Sequence, residues 1–121
     1  MRVPVILAGL LTAAPACALD IADMPTWSAE AHVVRAGTSY DTVLVFRRTG
    51  PGAWSVRVEC QVMDVRTRAW RAHKAAGTAT AQNGILVGKA GGLGQFVVAG
   101  HQMMFDDPRC ATGDVTYGSG D

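Results

Sequence analysis

A strict alternation of apolar and polar side chains runs from Trp54 to Val62. Successive side chains of a β-strand point to opposite faces, so this pattern is typical of a strand with one buried and one solvated face. The segment therefore predicts a half-buried β-strand. Its apolar positions are Trp54, Val56, Val58, Cys60 and Val62, and its polar positions are Ser55, Arg57, Glu59 and Gln61.

The stretch before this strand predicts its partner. Residues 42–48 are rich in β-branched and apolar side chains, and residues 49–53 contain the Gly-Pro-Gly of a turn. Joining the two through this loop places apolar side chains opposite one another, whereas a slip by one residue would place Phe46 opposite a polar side chain. The pattern thus predicts a hairpin of defined register. The expected cross-strand pairs are Phe46–Val56, Leu44–Val58, Arg48–Trp54 and Thr42–Cys60.

Weaker signals predict further strands on both sides of this hairpin. An Asn-Gly pair at positions 83 and 84, between residues 78–81 and 85–87, is the strongest short signal for a second hairpin. Residues 27–35 predict a strand before the central hairpin. These segments extend the β pattern over most of the chain.

The region from 88 to 105 mixes glycine with apolar runs. The Gly-rich run at 88–94 is expected to be flexible, and it lacks the βαβ context of a phosphate-binding loop. Residues 95–98 and 102–105 predict one long strand with a bend at Gly100.

The segment around 65–76 fits two structures. Asp64 is a capping residue, Gly77 stands where a helix would stop, and good helix formers lie between them. The apolar face of that helix would be thin. A short helix over 65–76 and a turn followed by a strand both remain open. The face would consist of Val65, Ala69, Ala72 and Ala76.

Short strands with closely spaced turn signals and no βαβ alternation predict an all-β fold, either a small antiparallel β-sandwich or a barrel. We expect one β domain over residues 19–121, because this length suffices for a single core. Within it, residues 19–26 are expected to be an irregular entry and residues 111–121 a loose tail.

The first eighteen residues have the parts of a secretory signal peptide in order. A basic Met1-Arg2 precedes an apolar run over 3–14, Pro15 follows, and Ala16-Cys17-Ala18 is an A-x-A cleavage site. Cleavage after Ala18 predicts a periplasmic or secreted protein. The minor alternative is a lipoprotein modified at Cys17, although Ala14 stands where that signal normally has Leu.

Two cysteines remain once this leader is removed, Cys60 and Cys110. An even count in an oxidising compartment predicts one disulfide bond. It would close a loop of about fifty residues, which stabilises a domain by roughly 4 kcal/mol. Two separate thiols are the alternative, since a metal pair would need closer spacing.

Charge is balanced overall but unevenly placed. Without Arg2 the chain has as many basic as acidic residues, so we expect neither nucleic acid nor membrane lipid as the partner. The basic residues concentrate between positions 35 and 74, and acidic ones lie toward the ends. The ends can fold against this region and neutralise it, or the region can form a basic face for an anionic partner.

No catalytic motif is present. The sequence lacks G-x-S-x-G, and its three histidines stand in no metal-ligand spacing. We therefore expect a protein that is not an enzyme and that has no cofactor.

One fragment favours an alternative function. His101-Gln102-Met103 combines imidazole and thioether, a ligand set suited to Cu(I), and the two side chains would share one face of a strand. The fragment resembles the H-x-M element of periplasmic copper chaperones. That resemblance implies a copper(I)-binding carrier that uses His101 and Met103, although no second His and Met follow at a matching spacing.

The favoured hypothesis is an exported domain that recognises a protein or an envelope component without catalysis. Arg and aromatic side chains are the types that anchor protein interfaces. Trp70 between Arg68 and Arg71 is either such an anchor or a plug in the core. The candidate binding residues are Arg47, Arg57, Arg68, Trp70 and Arg71.

Overall fold

The computed structural model describes residues 24–119, which form nine β-strands and no helix. The predicted leader, Cys17 and most of the predicted irregular entry lie outside the described residues. The strands are β1 (Thr26–Arg35), β2 (Thr38–Gly50), β3 (Ala53–Asp64), β4 (Trp70–Gln82), β5 (Ile85–Ala90), β6 (Gly94–Ala99), β7 (Gln102–Phe105), β8 (Gly113–Asp114) and β9 (Thr116–Gly118).

The strands form one nearly closed antiparallel sheet. Strands β1 to β7 are a meander in which each strand pairs with the next. The chain then runs back between the two edges, where β8 pairs with β7 and β9 pairs with β1. Val115 between β8 and β9 is buried, and its N–H donates to the His101 carbonyl at 2.8 Å. The predicted all-β class is confirmed, in its barrel form.

The register predicted for the central hairpin is confirmed in every pair. Strands β2 and β3 place Phe46 opposite Val56, and the three other expected pairs also face one another. The even-numbered side chains from Trp54 to Cys60 are buried, so they form the inner face of the barrel. The Asn-Gly hairpin is confirmed as well, because Gln82 faces Ile85 across it.

The core is aromatic at its centre. The rings of Trp27 and Phe46 stack with centroids 4.1 Å apart, and Phe96 meets Phe46 edge-on at 6.3 Å. Within the described residues, the buried indole N–H groups of Trp27 and Trp54 have no hydrogen-bond partner. These inward side chains fill the barrel.

The helical alternative for residues 65–76 is wrong. Asp64 does cap a segment, but the segment is a turn: its carboxylate accepts from the N–H groups of Arg66 and Thr67 at 2.9 and 3.1 Å. Strand β4 begins at Trp70 and pairs with β3 as far as Thr80. The thin alanine face gives a helix little to bury, whereas pairing with β3 satisfies the backbone.

Two predictions near the C-terminus are also wrong. Gly100 does not bend one strand, because with φ of 59° it lies in the turn of a hairpin that sets β6 antiparallel to β7. The tail from residue 111 is not loose over its described part, which ends at residue 119, because β8 and β9 complete the sheet. The hydroxyl of Tyr117 donates to the Gly100 carbonyl and fastens β9 to this turn.

The Gly-rich run is ordered where flexibility was expected. Gly88 lies within β5, and the chain turns at residues 91–93 with Leu93 buried. A Cβ at Gly88 would lie 2.2 Å from the ring of Phe96. This glycine therefore provides space for an aromatic side chain.

The predicted disulfide is confirmed. Cys60 of β3 is bonded to Cys110 in the loop between β7 and β8. The same loop is held by the buried hydroxyl of Thr42, which accepts from the Ala111 N–H at 2.6 Å. Covalent and hydrogen bonds together fix this loop across one end of the barrel.

Candidate functional site: a free strand edge beside an exposed tryptophan

Strands β1 to β4 continue beyond the end of β5 at one end of the sheet. Strand β4 pairs with β3 from Trp70 onward, but it pairs with β5 only from Gly77 onward. Residues 70–76 therefore have a neighbouring strand on one side only. We call residues 57–76, which comprise this part of β4, the facing part of β3 and their connection, the β3–β4 arm.

The open side of the arm presents unpaired backbone groups. The Ala76 carbonyl accepts from the Gly91 N–H on that side, at 3.1 Å. Because backbone groups alternate in direction along a strand, Trp70, Ala72 and Lys74 also turn their N–H and C=O groups away from β3. In the described part of the chain, no strand pairs with these three residues. The arm is thus an exposed sheet edge.

A strip of three apolar side chains and one buried serine crosses the outer face near the end of the arm. The pairing places Trp70 opposite Met63, Met63 opposite Ser39, and Ser39 opposite Val34. The side chains of Trp70 and Val34 are 62% and 56% exposed. The interpretation of Trp70 as a core plug is therefore wrong, and the indole is available for contact.

The arm carries five basic side chains and two acidic ones, Glu59 and Asp64, and Glu59 faces Lys74 across the two strands. In residues 24–119 the carboxylates in ion-pair contacts are those of Asp41, with His32, and Asp107, with Arg109. None of the arm's cations takes part in either contact. The cations are Arg57, Arg66, Arg68, Arg71 and Lys74. Among the described acidic residues of the two ends, none forms an ion pair with these cations, whereas Asp20, Asp23 and Asp121 lie outside the described residues.

A shallow groove of about 590 Å³ lies beside the arm on the outer face of β2 to β4. Its lining includes Asp41 and Glu59 as well as Arg57 and Lys74, with Val43 between them. Charges of both signs line this groove, so it favours neither an anionic nor a cationic ligand.

The structure brings together three of the five predicted binding residues. Arg68, Trp70 and Arg71 lie at the end of the arm, where Arg68 has a left-handed φ of 65° in the turn. Arg57 lies at the base of the arm opposite Ala76. Arg47 faces Ser55, well away from the arm. The predicted set is thus a cluster of three residues, with Arg57 at the base of the same arm and Arg47 outside it.

The sequence did not indicate the contributions of Met63 and Val34. Both belong to the strip only through pairing across strands, and the pairing of β3 with β4 was not predicted. Had that hairpin been predicted, its register would have placed Met63 opposite Trp70. Met63 directly follows the predicted alternation, which ends at Val62, so the sequence assigned it to neither face.

The structure does not place His101 and Met103 on one face of a strand. His101 is exposed in the turn before β7, whereas Met103 is fully buried in the core. Among the described residues, no group of three or more His, Cys, Asp and Glu side chains is placed to hold a metal ion. The expected shared face is therefore a wrong prediction.

A second polar cluster fixes the loop over the end of the barrel. The Arg109 guanidinium donates to both carboxylate oxygens of Asp107 at 2.9 and 2.7 Å, and to the Gly92 carbonyl at 3.2 Å. Its Nη1 lies 3.4 Å from Nδ1 of His73 in the arm. The hydrogen bond from Arg109 lowers the pKa of Asp107 to about 2. This cluster joins the loop to the arm.

Comparisons with protein-family models, with curated proteins and with solved structures find no significant match to this chain. Within residues 24–119, no helix has the length and apolarity needed to cross a membrane.

Proposed function

We propose that this chain is an exported, non-enzymatic binding domain that recognises a partner protein through the β3–β4 arm. The observation that carries the proposal is the free edge from Trp70 to Ala76. Folded proteins generally cover, shorten or twist away such edges, because unpaired strand groups attract other strands. An edge of this length beside a largely exposed tryptophan has the two features of a strand-adding interface, main-chain hydrogen-bonding groups and a side-chain anchor.

Export is supported by two independent features. The N-terminal residues have the order of a signal peptide, and the Cys60–Cys110 disulfide is typical of an oxidising compartment. The periplasm or the exterior is therefore the proposed location. A partner would be another exported protein or a protein of the cell envelope.

The test is capture from an envelope extract of the producing cell, with the exported form of the protein as bait. Trp70→Ala and Ala72→Pro are combined in one variant, since the first removes the anchor and the second removes an N–H that points away from β3. Arg47→Ala is the control, because Arg47 is exposed but lies outside the arm. Bound proteins are quantified by mass spectrometry.

The expected result is a protein captured equally by wild type and Arg47→Ala and lost from the arm variant. Equal capture by all three baits, or no specific capture by wild type, would refute the proposal. Circular dichroism and a thiol assay establish that the arm variant keeps its sheet and its disulfide.

A further inference from the structure

We propose that the arm binds an extended acidic segment of its partner, which adds to the sheet as an antiparallel strand beside β4. This inference depends on the proposed function and specifies the chemistry of the partner. Three observations carry it: the direction of the free backbone groups, the sign of the unpaired charges, and the spacing of those charges along the edge.

A strand added beside Trp70, Ala72 and Lys74 would lie where β5 would continue if it were longer. Strand β5 ends at Ala90, and the chain then turns into β6. An added strand in this line would meet three N–H and three C=O groups. Every described strand pair in the sheet is antiparallel, and an antiparallel addition continues that pattern.

The charge of the arm selects an acidic occupant. Arg71 and Lys74 lie on the edge itself, and Arg66 and Arg68 lie in the adjoining connection. Of the arm's two carboxylates, Asp64 accepts hydrogen bonds from the turn, and Glu59, which faces Lys74, accepts one from the Gln61 amide at 2.9 Å. Neither forms an ion pair with the arm's five cations, which outnumber them. Edge lysines and arginines repel strands that carry the same charge. The edge of a second copy, placed about a two-fold axis, would add the same cations and is therefore disfavoured.

The register of an added strand predicts the order of residues in the partner segment. In an antiparallel addition, the partner residue opposite Lys74 comes first, the residue opposite Arg71 comes three later, and the residue opposite Trp70 comes directly after that. Opposite charges and apolar pairs stabilise directly facing positions. The expected segment is therefore acidic, any, any, acidic, apolar.

This chain itself has that order once, at Asp20-Ile21-Ala22-Asp23-Met24. The residue that follows this segment, Pro25, lies far from Trp70. The Pro25 carbonyl accepts from the Arg48 N–H. Arg48 faces Trp54, which lies at the opposite end of β3 from Met63, the residue that faces Trp70. A second copy could supply the segment, so self-association is measured in the test.

The probe is the capped peptide acetyl-Thr-Glu-Thr-Val-Glu-Phe-Thr-amide, titrated into the exported protein. Of the three tryptophans, Trp27 and Trp54 are buried and Trp70 is exposed, so burial of Trp70 shifts the fluorescence emission to shorter wavelength. Two control peptides replace both Glu by Lys, or move one Glu by a single position. We expect each control to bind at least about tenfold more weakly at low salt, with the difference reduced at high salt.

Two matched pairs test strand addition. On the protein, Ala72→Pro removes an edge N–H, whereas Ala72→Thr keeps it. On the peptide, N-methylation of Val removes an N–H directed at β4, whereas N-methylation of the Thr before it blocks an N–H directed away. We expect Ala72→Pro and the N-methylated Val each to weaken binding about tenfold or more. The two controls, Ala72→Thr and the peptide methylated at the preceding Thr, should bind within about twofold of the unmodified pair. The peptide pair is independent of any folding defect in the protein.

Acidic-peptide binding that fails with Ala72→Pro and with the N-methylated Val supports the inference. No binding, equal binding of the Lys peptide, or equal effects of the two methylations overturns it. A dimer of the protein that is lost in Asp20→Asn/Asp23→Asn also overturns it, since the occupant would then be a second copy. If envelope capture depends on the arm while the acidic peptide fails, this inference is wrong and the proposed function stands.

Discussion

At the scale of single residues, Gly88 is fixed by the ring that packs against it. A Cβ at this position would lie 2.2 to 2.8 Å from three ring atoms of Phe96, which is itself buried. We predict that Gly88→Ala lowers the free energy of unfolding by about 1–3 kcal/mol, because the core must shift to accept the methyl group. Gly50→Ala is the matched control, since no atom lies within 4 Å of a Cβ there. Urea denaturation of both variants measures this, and equal stability would contradict the packing argument.

Thr42 contributes a buried hydrogen bond that a methyl group cannot replace. Its hydroxyl accepts from the Ala111 N–H at 2.6 Å, and its side chain is almost completely buried. We predict that Thr42→Val costs about 1–3 kcal/mol, because it leaves a buried N–H unsatisfied, and that Thr42→Ser costs less. Denaturant unfolding compares the two. A valine variant as stable as the serine variant would show that Ala111 finds another acceptor.

These two residues show what the sequence could predict at this scale. Thr42 was placed opposite Cys60 by the hairpin register, and the structure agrees. Gly88 was read as part of a flexible run, because a glycine that makes room for a side chain looks the same in sequence as one that loosens a loop. Its neighbour Phe96 becomes apparent only when β5 is paired with β6.

At the scale of elements, alternation predicted β2 and β3 but not the character of β4. A strand with one face in the core shows its period in the sequence. Strand β4 has a single buried residue, Ala79, so both of its faces are largely free to be polar. Its local preferences left helix and strand open, and pairing with β3 decided between them. The candidate site lies in that strand, so its residue types were predictable but its free edge was not.

The loop between β7 and β8 has a predictable response to acid. Hydrogen bonds from Arg109 lower the pKa of Asp107 to about 2, below that of an unfolded aspartate at about 3.9. The resulting stabilisation is complete above about pH 4 and is lost as the pH falls toward about 2. We predict that wild type loses its thermal stability advantage over Asp107→Asn across this range. Melting curves from pH 6 to 2 test it, with Asp106→Asn as the control, and a constant difference would contradict it.

At the scale of the whole molecule, the disulfide links β3 to the loop before the closing strands. The two cysteines are separated by 50 positions. We predict that Cys60→Ala/Cys110→Ala loses roughly 4 kcal/mol, because the unfolded chain regains the freedom of that loop. Total stabilities of small domains are about 5–15 kcal/mol, so the variant should be marginal at 37 °C. Unfolding of wild type with and without reductant gives an independent value, and a loss below about 1 kcal/mol would contradict the estimate.

The sequence does not predict the closure of the sheet, because the last two strands are short. Strands β8 and β9 contain two and three residues, too few to show a period, and Gly and Asp among them are typical of a loose tail. Their pairing depends on the two distant edges already formed by β7 and β1. Such a segment is ordered by the rest of the fold and not by its own preferences.

Val115 is the residue at which this closure can be tested. It is buried between β8 and β9, whereas the next residue, Thr116, is exposed. We predict that Val115→Asn destabilises the protein by about 2 kcal/mol or more, because a polar amide replaces an apolar contact, and that Thr116→Asn stays within about 0.5 kcal/mol. Hydrogen exchange should then show faster opening of β1 and β7, the two edges that this segment joins, than of β3. Equal acceleration in all three strands would mean that the barrel opens only by global unfolding.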